Sequence, residues 1–121
     1  MLDAKKGIIS MIEGDYGLEL PITINGAEIA SDETITMTIS DVAHETKIEK
    51  TFTNIADNVI NFSLTQNESN QLKSTKKYTY SIDWYKNGEF LGNIINGYEF
   101  KVEEKKWVNR LMLKSKLILW M

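Results

Sequence analysis

The stretch that decides the fold is KKYTYSIDWYKNGEF, residues 76–90, which holds five aromatics: Tyr78, Tyr80, Trp84, Tyr85 and Phe90. In an extended chain successive side chains point to opposite faces. Parity puts Tyr78, Tyr80, Ile82 and Trp84 on one face, all of them large. Thr79, Ser81, Asp83 and Tyr85 take the other, which is polar apart from Tyr85. The first set reads as the covered face of a sheet, and Tyr85 is left over as a surface contact.

The same period of two runs through the flanking sequence. Leu18, Leu20, Ile22 and Ile24 alternate with Glu19, Pro21 and Thr23. Ile35, Met37 and Ile39 alternate with threonines, and Ile60, Phe62 and Leu64 with Val59, Asn61 and Ser63. KIEKTF (47–52) is weaker, because Lys50 falls among its inward positions with Ile48 and Phe52. Half-buried antiparallel strands have this pattern. Pro21 cannot donate to a ladder, which predicts an edge strand or a free N–H side at that point.

Asn-Gly occurs at 25–26, 87–88 and 96–97. A type I′ hairpin turn needs φ > 0 at both central residues, and Asn-Gly meets that need at least cost. The last two predict a meander of strands over 77–86, 89–95 and 98–103. One short helical turn is expected near 65–74, with Thr65 and Glu68 forming a capping box and Leu72 plugging back onto the core. The fold class is all-β: an immunoglobulin-like antiparallel β-sandwich of about seven to eight strands.

At 121 residues the chain is most simply one domain, with enough surface buried to need no staple, and it has no cysteine. Residues 1–104 are taken as the sandwich. Residues 105–121, KKWVNRLMLKSKLILWM, break its style with five basic groups and no acid. That leaves nine basic against 17 acidic groups in residues 1–104, a formal −8, which argues against nucleic acid as a partner of the body. Three readings stay open for 105–121: a segment that docks on a partner or neighbouring subunit, a strand or helix on the chain's own core, or a stretch with no selected role. Trp107 and Trp120 fall off the core pattern there and join Tyr85 as surface contacts.

Nothing in the sequence points to catalysis. His44 is the lone histidine, set in a polar stretch beside Asp41 and Glu45, and reads as an exposed bystander. No nucleophile elbow or glycine-rich phosphate loop occurs. Asp32-Glu33 and Glu103-Glu104 are paired acids of the kind common at strand ends. No catalytic, cofactor-binding or metal-ligating residues are expected, and no cofactor. The N-terminus lacks the continuous apolar region of a secretory signal, and no run is long enough to span a bilayer.

Three stretches in order carry a resemblance: EGDYGLELPITINGAEIASDETITMTI, INFSLTQNESNQLKSTKKYTYSIDW and NGEFLGNIINGYEFKV. From about Lys6 to Glu103 the chain resembles a family of small phage and prophage proteins of Gram-positive bacteria. Its type is the N-terminal domain of the baseplate upper protein of lactococcal siphophages. Two departures stand out: STKKY replaces the glycine usual before the Tyr-rich strand, and 105–121 does not align. The resemblance implies an immunoglobulin-like virion part without catalytic residues, located in a phage tail or baseplate, or in the bacterial cytoplasm when expressed from a prophage. Other virion proteins and further copies of the chain would be its partners. The alternative expectation is a β-sandwich module that binds carbohydrate or another host-surface group, with a cell-surface glycan as partner.

Overall fold

Alternating apolar residues bury one face of a strand only if a second layer covers it, and two sheets close over each other here. The computed structural model describes residues 3–5, 7–104 and 117–120. Nine strands and one helical turn follow in the order β1 (Asp3–Lys5), β2 (Ile8–Ile12), β3 (Leu20–Asn25), β4 (Glu33–Asp41), β5 (Thr46–Phe52), β6 (Val59–Phe62), α1 (Gln66–Ser69), β7 (Tyr78–Lys86), β8 (Glu89–Glu103) and β9 (Leu117–Trp120). One sheet has the order β1-β2-β8-β7-β4-β5, the other β6-β3-β9.

The order β8-β7-β4-β5 facing β3-β6 matches the G-F-C-C′ and B-E strands of an immunoglobulin-like sandwich. A second mark of that fold is present at the start of β7. The backbone N–H of Lys73 donates to Tyr78 Oη at 2.9 Å, the geometry of a tyrosine corner. The faces fall as parity predicts: Tyr78, Tyr80 and Ile82 are buried and Trp84 packs partly against them. Leu20, Ile22, Ile24, Ile35, Met37, Ile39, Ile60 and Phe62 join the core from other strands, and Leu64 from just beyond β6. Phe62 and Phe100 meet edge to face across the two sheets, with ring centroids 6.1 Å apart.

Four features differ from the expectation. First, the strands are not all antiparallel: β2 runs parallel to β8 and β9 parallel to β3. Alternation carries parity and says nothing of direction. Second, Asn96-Gly97 is no turn, and 89–103 is a single strand of 15 residues. Gly97 has φ +72°, and the β7 register shifts there by one residue, from Ile82↔Ile95 to Tyr80↔Tyr98. This is a bulge with glycine in the left-handed region, which needs the same positive φ as a hairpin turn. Asn87-Gly88 is the expected two-residue hairpin, with φ +50° and +79°.

Third, β3 is a central strand, with β6 on one side and β9 on the other. The edge strand expected as one alternative is therefore absent, while the other alternative, a free N–H side at Pro21, holds: the β9 ladder begins one residue later, at Ile22↔Leu117. Fourth, β1 and β2 pair antiparallel and extend the larger sheet on the β8 side, strands that the sequence reading did not assign.

The helical turn follows its prediction. Thr65 Oγ1 accepts from the Glu68 N–H at 3.2 Å, Glu68 Oε1 accepts from the Thr65 N–H at 2.9 Å, and Leu72 is fully buried. Lys50, the inward lysine of β5, donates to the same Glu68 oxygen at 2.8 Å and to the Ser63 carbonyl at 2.9 Å. Its alkyl stem crosses the sandwich margin and its ammonium ties β5 to the capping box.

Candidate functional site

Register places the polar side chains of the larger sheet in rows on its outer face. Thr51, Thr36, Asp83 and Asn93 are successive cross-strand partners over β5, β4, β7 and β8. Asn93 Nδ2 donates to Asp83 Oδ1 at 2.7 Å, and Thr36 Oγ1 lies 3.4 Å from Thr51 Oγ1. The next row ends in aromatics: Thr34 pairs with Tyr85 and Tyr85 with Phe90. The Tyr85 and Phe90 rings meet edge to face at 5.7 Å.

This tip is the largest apolar exposure on the hairpin. Phe90 is 56% and Leu91 44% exposed, with Tyr85 half-buried beside them. Beneath, on the inner face, Trp84 Nε1 is buried and has no hydrogen-bond partner among the described residues. The face thus offers hydroxyl and amide groups along the sheet and two aromatic rings at its end.

An open strand edge adjoins the tip. The parallel ladder with β2 covers β8 only from Phe100 to Glu103. On that side residues 89–99 have no strand partner among the described residues. Register shifts at Leu91, Ile94 and Asn96-Gly97 crowd the open part. Bulges twist an edge away from indiscriminate pairing while leaving particular N–H and C=O groups available.

The contacts expected from the sequence fare unequally. Tyr85 is at the surface and acquires Phe90 as a partner, which strand parity alone did not reveal because a bulge separates Trp84↔Gly92 from Tyr85↔Phe90. Trp107 lies outside the described residues. Trp120 occupies the last register position of β9, opposite Asn25, and its side chain lies outside them too. For 105–121, residues 117–120 are a strand on the chain's own β3 and Leu119 is buried; 105–116 lie outside the described residues.

The acids have structural work. Glu33 Oε1 accepts from the Ala30 N–H at 2.6 Å and closes the turn into β4. Asp41 Oδ1 accepts from Ala43 and Glu45 backbone N–H groups at 2.9 and 3.0 Å. The Glu45 hydrogen bond is foremost in holding its carboxyl below the ordinary range. His44 is exposed in that loop with φ +61°. Glu13 Oε2 accepts from the Ser74 N–H at 2.9 Å, and Ser74 holds that carboxyl low as well. Glu13 lines an open groove of about 560 Å³ with Ser69, Asn70, Lys73 and Glu104. Among the described residues no three His, Cys, Asp or Glu side chains gather to hold a metal ion, and no helix is long and apolar enough to cross a membrane.

No family model matches the chain, and no curated protein does. Among solved structures it is similar to an alternative pilotin from the type II secretion system of Vibrio cholerae. The identity is 13%, the TM-score 0.50, and the match covers 85% of this chain and 93% of the pilotin. At that identity the likeness is one of fold.

Proposed function

We propose that this chain is a non-enzymatic structural module of a phage or prophage virion, a tail or baseplate accessory that acts through protein–protein assembly. The observation that carries the reading is the order of the three stretches that resemble the baseplate family. They fall on β3 and β4, on β6 through β7, and on β8, which are successive parts of one immunoglobulin-like sandwich. The open, bulged edge of β8 beside Phe90 and Leu91 supports assembly, since it joins a strand edge without a strand partner among the described residues to exposed apolar area. Virion proteins and further copies of the chain are the partners, and nucleic acid is not. The site of action is the particle, or the bacterial cytoplasm before release.

Mass spectrometry of particles purified after prophage induction tests this. The chain is expected at a fixed stoichiometry to tail proteins; its absence from particles that contain the tail overturns the proposal.

The outer face favours a second reading, in which the module binds a host-surface glycan. Hydroxyl and amide rows ending in Tyr85 and Phe90 suit a pyranose ring, which stacks on an aromatic face while its hydroxyls take hydrogen bonds. Binding on a glycan array that is lost in Tyr85→Ala and in Phe90→Ala supports it, and a blank array with wild-type chain removes it.

A further inference from the structure

The slot beside β3 is filled in an unusual way. In an immunoglobulin-like sandwich the strand next to B comes from the N-terminus. Here both N-terminal strands, β1 and β2, belong to the larger sheet, and the slot is taken by the chain's last described residues. The ladder is short: Ile22↔Leu117, Thr23↔Ile118, Ile24↔Leu119 and Asn25↔Trp120. Leu119, 2% exposed, enters the core opposite Ile24.

The chain reaches that slot with length to spare. Ile12 and Glu103 are neighbours in the β2–β8 ladder, and Ile22 and Leu117 are neighbours in the β3–β9 ladder. The crossings from Ile12 to Ile22 and from Glu103 to Leu117 are therefore the same step between the same two sheets. The first takes nine intervening residues (13–21) and the second thirteen (104–116). Thirteen extended residues span roughly 45 Å, several times the radius of a small domain.

We propose that the edge of β3 is a strand-acceptor site that takes Leu117–Trp120 from a second copy of the chain as well as from its own. The ladder bonds and the burial of Leu119 are identical in the two arrangements, so the choice between them is set by concentration and not by affinity. A short tether holds its own strand at an effective concentration in the millimolar range. Exchange between copies therefore prevails where copies are crowded, and a head-to-tail exchange either closes into a ring or propagates. This is a property of β3 and β9 whatever particle the chain serves.

The chain has no cysteine, so introduced ones report directly. Thr23→Cys and Ile118→Cys place thiols at a register pair with Cα spacing suited to a disulfide. Full-length Thr23→Cys and Ile118→Cys chains, one isotope-labelled, are refolded together from urea at about 1 mM, matching the tether's effective concentration, and then oxidised. A heterodisulfide is expected at least tenfold above that from Thr23→Cys mixed with Glu49→Cys, whose thiol sits on β5. The double variant Thr23→Cys/Ile118→Cys is oxidised at high dilution in parallel. Ring closure there without excess heterodisulfide in the mixture confines β9 to its own chain and overturns the proposal. Failure of both cross-links removes β9 from the slot and overturns it too.

Discussion

Tyr80 donates its hydroxyl to the carbonyl of Gly7 at 2.5 Å, across 73 residues of sequence and in full burial. The bond lies at the margin of one cross-strand row, which runs from the exposed Tyr98 into the core. Gly7 abuts the Tyr98 ring, Tyr98 is the cross-strand partner of Tyr80, Tyr80 of Ile39 and Ile39 of Ile48. Gly7 has φ +82°, and a Cβ built there would come within 2.8 Å of Tyr98. Both the backbone angle and the ring demand glycine.

Tyr80→Phe is expected to cost about 1–3 kcal/mol, because the Gly7 carbonyl is left buried without its donor. Gly7→Ala is expected to lose more, with Tyr98→Ala relieving only the steric part. Burial first, and Tyr98 second, push the Tyr80 phenol well above its ordinary value of 10.0. The neutral form is favoured in the fold, so this contribution is complete below pH 10 and is lost as pH rises toward the folded value. Urea midpoints against pH should show an alkaline decline that Tyr80→Phe largely lacks.

Glu68 predicts the acid limb. Burial alone would raise its carboxyl, but hydrogen bonds from Lys50 and from the Thr65 backbone outweigh this and hold it below 4.5. Its contribution is present above pH 4.5 and is lost as pH falls through the lower folded value. Glu68→Gln should flatten the acid side of the midpoint-versus-pH curve and cost about 1 kcal/mol at neutral pH through the cap. Lys50→Met, which keeps the stem, should lose less than Lys50→Ala.

Asn58 holds the β3–β4 connection. Its Oδ1 accepts from the Ile29 N–H at 3.0 Å, its Nδ2 donates to the Ala27 carbonyl at 2.5 Å, and its own carbonyl takes the Ile24 N–H at 2.8 Å. Its φ is +56°. Asn58→Ala should cost about 2–3 kcal/mol, combining lost side-chain bonds with left-handed strain. Asn58→Gly removes the strain and should recover about 1 kcal/mol of that in thermal unfolding.

Gly97→Ala separates the bulge from a packing constraint. A Cβ there meets nothing within 4 Å, so only φ +72° opposes it. The expected loss is about 1–2 kcal/mol with no change in the near-UV spectrum of the core aromatics.

The inward faces were legible because burial on one side of a strand writes a period of two, as Ile35, Met37 and Ile39 show. Lys50 looked out of place for a physical reason: its partner, Glu68, is set by the helical turn's capping box. Asn96-Gly97 misled because turns and bulges ask the same φ of the same dipeptide. Direction and neighbour order left no local trace, so the parallel ladders β2–β8 and β3–β9 were not readable. Tyr85 was legible from parity as an outward-facing aromatic, whereas its pairing with Phe90 depends on a bulge that parity does not encode.

The ladder between Ile9 and Phe100 has a consequence for synthesis. β2 leaves the ribosome some 90 residues ahead of its partner in β8. At about 5–20 residues per second the wait is on the order of 5 to 20 seconds. Throughout it Ile9 and Met11 stay uncovered, and the slot on β3 waits longer still for Leu119. The nascent chain is therefore an open, adhesive half-sandwich until β8 and β9 have emerged, and its yield in a cell should depend on the chaperones that hold it meanwhile.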